Sequence, residues 1–241
     1  MALSLTQTDA LAKILKPGMR VASMGYPDII APLPLIQTMF NKDMPKAEYR
    51  TDSAAICKRH GMEEHGIIDA VWLFEVLKCK LDVYDVVRER GCEIICDLNG
   101  RLDPALRAFN YDIVLDVGTA EHCFNIAQAL INMAGMVKMG GYIIHENPFN
   151  CGNHGFYNLN PTLFADFYSA NGFKVLECKL VDKHGGQGDV PHVKRFKFTN
   201  QECNVFTLSQ RVEVKSFVYP VQSKYANLIP VAGASGEKEA A

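Results

Sequence analysis

A chain of 241 residues, 48% hydrophobic and 22% charged, has the composition of an ordinary soluble globular protein and is long enough for one large α/β domain. A net charge of −2 gives no electrostatic reason to expect a nucleic-acid partner, and no apolar run approaches the ~20 residues needed to span a bilayer. The opening Met-Ala-Leu-Ser-Leu-Thr-Gln-Thr-Asp lacks the basic and apolar regions of an export signal, so a cytoplasmic protein is expected, with no membrane partner.

In chain order, Leu5 to Leu15 carries apolar residues at helical spacing and is stopped by Lys16-Pro17-Gly18. Met19 to Met24 reads as a strand closed by Gly25-Tyr26-Pro27-Asp28. Residues 29 to 52 are rich in proline and without period, implying loops and short helical pieces, and Ile67 to Leu77 is apolar enough for a helix. Strands follow at Lys80 to Val87 and Cys92 to Cys96. The central unit comprises a strand over 112–117, a helix from Asn125 to Met136, a Gly-Gly turn and a strand over 141–145. Pro161 to Asn171 fits a helix with proline in its first turn, leading to strands Lys174 to Leu180 and Asn204 to Leu208. The pattern predicts a Rossmann-like, mainly parallel seven-stranded sheet with helices on both faces and an antiparallel C-terminal edge hairpin. Residues 1–231 are expected to form a single domain with an insertion at about 29–67, and 232–241 a disordered tail.

The eight cysteines (57, 79, 92, 96, 123, 151, 178 and 203) are scattered without a Cys-x-x-Cys pair, so reduced thiols are expected and no metal site.

Ligands of an open parallel sheet bind at the carboxyl ends of its strands. Here those ends carry Gly25, then Asp85, then Asp97, then Asp116, Gly118, Thr119, Glu121 and His122, and finally His145, Glu146 and Asn147. An acidic residue after a second strand suits a ribose diol, and one after the next suits an adenine amine, so a nucleoside-containing ligand is expected along the strand tips.

The chain resembles the class I S-adenosylmethionine-dependent methyltransferases, particularly the small-molecule type. Tyr111 to His122 looks like that family's fourth strand and loop, Met136 to Ile144 its Gly-Gly turn and fifth strand, and Phe167 to Glu177 the entry to its sixth strand. The resemblance covers roughly residues 80 to 208. It implies S-adenosylmethionine as methyl donor, Gly25 and Tyr26 beside its methionine end, Asp85 on the ribose, Asp97 and Leu98 at the adenine, and Asp116, Gly118 and Thr119 along the methionine moiety. The chain departs from the family at its first loop, which has one glycine in place of Gly-x-Gly-x-Gly. It also departs in the 60 residues from Gly25 to Asp85, where about 20 are usual.

Methyl transfer to a hydroxyl needs an aligned acceptor and a group to take the proton, a task suited to histidine. His154, in the Asn- and Gly-rich loop Asn150 to Tyr157, is the first candidate, with His145 and His122 behind it. Asn153-His154-Gly155-Phe156-Tyr157 is similar to sequences in enzymes of bacterial glycan assembly, which points to a small-molecule acceptor, a sugar or related metabolite, and O-methylation. A homodimer is left open. The alternatives are a Rossmann-type nucleotide-binding oxidoreductase and a non-catalytic methyltransferase-like module.

Overall fold

The computed structural model describes residues 2–104, 111–182, 187–190, 195–196 and 201–228. The strands are β1 (Ala2–Leu3), β2 (Arg20–Met24), β3 (Asp28–Ile29), β4 (Lys80–Asp85), β5 (Ile94–Ile95), β6 (Tyr111–Asp116), β7 (Val137–Pro148), β8 (Phe173–Asp182), β9 (Gln187–Asp189) and β10 (Cys203–Arg211). The helices are α1 (Leu5–Ile14), α2 (Leu33–Met39), α3 (Ser53–Arg59), α4 (Ala70–Val76), α5 (Ile126–Met136) and α6 (Pro161–Ala170).

The main sheet has the order β5-β4-β2-β6-β7-β10-β8-β9. The five strands β5, β4, β2, β6 and β7 run parallel, and β10 lies antiparallel between β7 and β8. The seven expected strands are therefore all present, with the antiparallel pair β8–β10 at one end and the three-residue β9 added outside it. The chain runs outward from β2 through β4 to β5, then returns to β6 on the other side. The switch point of the sheet is thus the crevice between β2 and β6, where an open α/β sheet binds its ligands.

Each face of the sheet buries its own apolar layer. On one, Leu130 and Met133 of α5 and Phe164, Phe167 and Tyr168 of α6 cover Val114, Ile143 and Val205. On the other, Leu11 of α1, Ile36 of α2 and Leu73 and Phe74 of α4 cover Val21, Ile113, Ile144 and Phe206. Burial on both faces is why the central strands read as continuous apolar runs.

Two elements differ from expectation. The helix expected from Ile67 starts at Ala70, because Ile68 bridges Ile29 and Tyr49 and the Asp69 carboxylate caps the helix by accepting from Trp72 N. The expected Gly-Gly turn is a bulge within β7. Register jumps from Tyr111↔Val137 to Ile113↔Tyr142, and a Cβ on Gly141 would lie 2.8 Å from the Asp112 carbonyl oxygen. The expected tail 232–241 lies outside the described residues. No helix among the described residues is long and apolar enough to cross a membrane.

Candidate functional site

At the switch point, Met24 ends β2 and Gly25 turns the chain at φ +83°, a conformation that favours glycine. Gly25 N donates to the Tyr84 carbonyl at 2.7 Å, and the Thr119 hydroxyl donates to the Met24 carbonyl at 2.6 Å, so both neighbours of β2 are tied to its end. These ties frame a cavity of about 200 Å³ lined by Gly25, Tyr84, Asp85, Asp97, Leu98, Thr119, His122 and Cys123, among others. Asp85 is half-buried, and its carboxylate receives Val87 N at 3.3 Å. Asp97 is exposed and receives both Asn99 N and Asn99 Nδ2 at 2.9 Å, the backbone bond being the main cause that holds its carboxyl below the ordinary 3.8. Five of the residues expected at a cofactor (Gly25, Asp85, Asp97, Leu98 and Thr119) thus line one cavity together with His122.

Tyr26, Asp116 and Gly118 do not line it. Tyr26 points toward the start of α4, where its hydroxyl donates to Asp69 Oδ2 at 2.8 Å and accepts from Ala70 N at 3.2 Å. The guanidinium groups of Arg50 and Arg90 lie 5.0 and 5.1 Å from its ring centre. Burial first, then Asp69, pushes its hydroxyl up to about 12. Arg90 also holds buried Asp28 at 3.3 Å and Asp52 at 2.7 Å, so the first turn is fastened by charge to the start of α3.

Asp116 is fully buried and organises the next loop. Its Oδ1 receives Thr119 N at 2.8 Å and Ala120 N at 3.2 Å, starting the short 3₁₀ turn Ala120–His122. Its Oδ2 receives His145 Nδ1 at 2.7 Å and Asn147 Nδ2 at 2.9 Å. Burial alone would raise the Asp116 carboxyl, but the bond from His145 leads the contacts that hold it below its ordinary value. The other nitrogen of His145 meets the Tyr168 hydroxyl at 2.5 Å, and no part of the side chain is exposed. With both ring nitrogens engaged in the interior, His145 is removed from any acceptor and positions Asp116 instead. Gly118, at φ +86°, leaves room for the neighbouring carboxylate, because a Cβ there would lie 3.2 Å from Glu121 Oε1.

Glu121 and the other two histidines form the open side of this loop. Glu121 is buried; its Oε2 receives Asn147 Nδ2 at 2.9 Å, and its Oε1 accepts no hydrogen bond. His154 Nε2 stands 3.4 Å and His122 Nε2 3.9 Å from that free oxygen, each imidazole about half-exposed. Burial, then Asp116, pushes the Glu121 carboxyl up to about 7, while burial, then His154, lowers His122. The loop bearing His154 is seated directly on Glu121: Phe156 N donates to the Glu121 carbonyl at 2.9 Å, and a Cβ on Gly155 would come within 2.9 Å of that oxygen. Exposed Phe124 and Phe156 meet edge to face at 5.5 Å, and the Tyr157 hydroxyl donates to the Phe124 carbonyl at 2.8 Å, forming an aromatic rim. The structure brings His122 and His154 together and separates both from His145.

Sequence reasoning noted Glu121 only as part of the loop; its position beside His122 was the available signal. It missed the start of α1, where Gln7 Nε2 donates to the Asp116 carbonyl at 2.9 Å and the Ser4 hydroxyl donates to Glu146. It also missed a second cavity, of about 580 Å³, at the ends of β7 and β8 and the start of β10, with Ser4, His60, Met62, Glu146 and Asn204 on its walls.

No protein-family model and no curated protein sequence matches this chain. Solved structures similar to it include TehB from Haemophilus influenzae, at 13% identity and a TM-score of 0.43, over 86% of this chain and 62% of that one. The chain therefore spans less than two thirds of that protein's length. A 1,6-didemethyltoxoflavin-N1-methyltransferase from Burkholderia thailandensis, solved with S-adenosylhomocysteine, is 13% identical with a TM-score of 0.41, over 86% of this chain and 77% of that one. A 16S rRNA (adenine(1408)-N(1))-methyltransferase from Catenulisporales acidiphilia is 10% identical with a TM-score of 0.45, over 87% and 93%. The latter two are methyltransferases of differing substrates.

Proposed function

We propose that the protein transfers a methyl group from S-adenosylmethionine to a hydroxyl of a small polar acceptor, a sugar or related metabolite. The observation that carries this reading is the single cavity at the switch point, to which the ends of four strands contribute Gly25, Asp85, Asp97 with Leu98, and Thr119. Two carboxylates at successive strand ends offer acceptors for a ribose diol and an adenine amine, and Gly25 lets backbone approach the remainder of the donor.

In the transfer, the acceptor oxygen forms a bond to the methyl carbon as the carbon–sulfur pair withdraws onto sulfur, leaving a neutral thioether. The acceptor must lie in line with that bond and lose its proton. His122 lines the cavity, and His154 stands beside it over Glu121, so these two histidines are the ones that meet an acceptor hydroxyl. The aromatic rim of Phe124, Phe156 and Tyr157 supplies an apolar wall for a sugar face.

Calorimetry with S-adenosylmethionine, S-adenosylhomocysteine and NAD tests the reading. Binding of the first two and not of NAD is expected. Binding of NAD alone would replace it with the oxidoreductase, and binding of none with a non-catalytic module.

A further inference from the structure

We propose that Glu121, His122 and His154 bind one divalent first-row transition-metal ion, of the manganese, cobalt or zinc kind, at the mouth of the switch-point cavity. The ligand atoms of the three side chains, one from each, all lie within 4.8 Å of one another. Ligands of a four- to six-coordinate ion with bonds near 2.0–2.2 Å stand roughly 3–3.5 Å apart. The distances of 3.4 Å and 3.9 Å from Glu121 Oε1 to the two Nε2 atoms are close to that, and two half-exposed imidazoles need only small side-chain rotations to close the rest.

A second observation points to a cation independently of this spacing. Glu121 Oε1 is buried and accepts no hydrogen bond, although its partner oxygen is satisfied by Asn147. A buried carboxylate oxygen left without a donor is costly, and an ion between it and the imidazoles would satisfy it. The support behind the ligands also suits a metal site. Asn147 Nδ2 bridges Glu121 Oε2 and Asp116 Oδ2, which fixes the carboxylate from behind. Gly155 is small enough to seat its loop on Glu121, which brings His154 over the carboxylate, and the Phe156 N bond holds it there. Two imidazoles with one carboxylate favour the borderline transition metals over magnesium or calcium, which prefer all-oxygen shells.

Three protein ligands leave positions for water or substrate. Resting on the methyl-transfer reading, this assigns the two histidines their part in deprotonation. A hydroxyl coordinated to the ion loses its proton to solvent at a lower pH, and the alkoxide so held attacks the methyl carbon. The histidines act through the ion they hold, and the ion site itself depends on the three side chains alone.

The test is titration of tag-free, chelator-treated full-length protein with Co²⁺, followed by visible absorption and calorimetry. One equivalent is expected to bind, with ligand-field bands that Zn²⁺ displaces. His154→Ala and His122→Ala, both at exposed positions, should each weaken Co²⁺ binding by at least ~10-fold, whereas His65→Ala, whose Nε2 faces the Ile30 carbonyl in the insertion, should not. Absence of stoichiometric binding, or binding unchanged in both His154→Ala and His122→Ala, would overturn the site. S-adenosylhomocysteine affinity, measured separately, keeps the two readings apart: Co²⁺ binding without it sinks methyl transfer and leaves the ion site standing.

Discussion

The turn after β2 and the loop after β6 face each other across the same crevice, yet they are held by different physics. Gly25 to Asp28 is fastened by charge: Arg90 reaches buried Asp28 and Asp52, and Arg50 and Arg90 flank the Tyr26 ring. Asp116 to His122 is fastened by neutral donors and one imidazole gathered on a single buried carboxylate, and the half-exposed imidazoles of His122 and His154 stand over buried Glu121. The first region holds a backbone still with ion pairs; the second gathers polar side chains at the edge of the cavity.

That division can be broken by mutation. Removing one partner of a buried ion pair typically costs about 3–5 kcal/mol, so Arg90→Ala should lower stability by that order in chemical denaturation. Burial raises the Asp28 carboxyl above its ordinary 3.8, with Arg90 pulling it back. A carboxyl raised on folding contributes stability below its unfolded value and loses it as pH rises through its folded value. Without Arg90 the folded value climbs further, so the deficit should be largest near neutral pH and shrink as acid protonates Asp28. A deficit that grows in acid would show that the pair does not fasten the turn.

On the other side of the crevice, His154→Ala should lower turnover by roughly 10²–10⁴-fold, with S-adenosylhomocysteine affinity and thermal midpoint unchanged. A large fall in midpoint would mean that the β6 side is also structural, and the contrast would fail. Asp85→Ala should weaken S-adenosylhomocysteine binding by ~1.5–3 kcal/mol, about ten-fold or more, as expected for a lost charged acceptor. Unchanged affinity would move the ribose elsewhere. The smallest effect is expected of Tyr26→Phe, which deletes a hydroxyl on the insertion side and should cost about 1 kcal/mol of stability while leaving cofactor affinity as it was.

Much of this was legible in the sequence. The central strands could be read because both faces are buried, and the strand ends because apolar runs stop at Gly25, Asp85, Asp97 and Asp116. Which face a strand-end residue takes was not legible. In sequence His145 stands behind His154 only as a second candidate, but β7 alternates, sending Glu146 toward Ser4 and His145 with Asn147 toward Asp116. The burial of Glu121 depends on Gly118, Asn147 and Gly155, drawn from three separate segments, and no local pattern contains that information. The fixings of the turn after β2 escaped for a related reason: Arg50, Arg90, Asp52 and Asp69 read one at a time as surface charges.

The tether from α1 has a consequence for how the molecule is assembled. Gln7 and the Asp116 carbonyl it serves are 109 residues apart, and Ser4 and Glu146 are 142 apart. At ~5–20 residues per second, a ribosome delivers those strand ends roughly 5–30 s after the helix has been made. Until then Leu11, wholly enclosed in the finished fold, has only part of the surface that will cover it. The piece that closes the carboxyl edge is thus made well before the strand ends it serves.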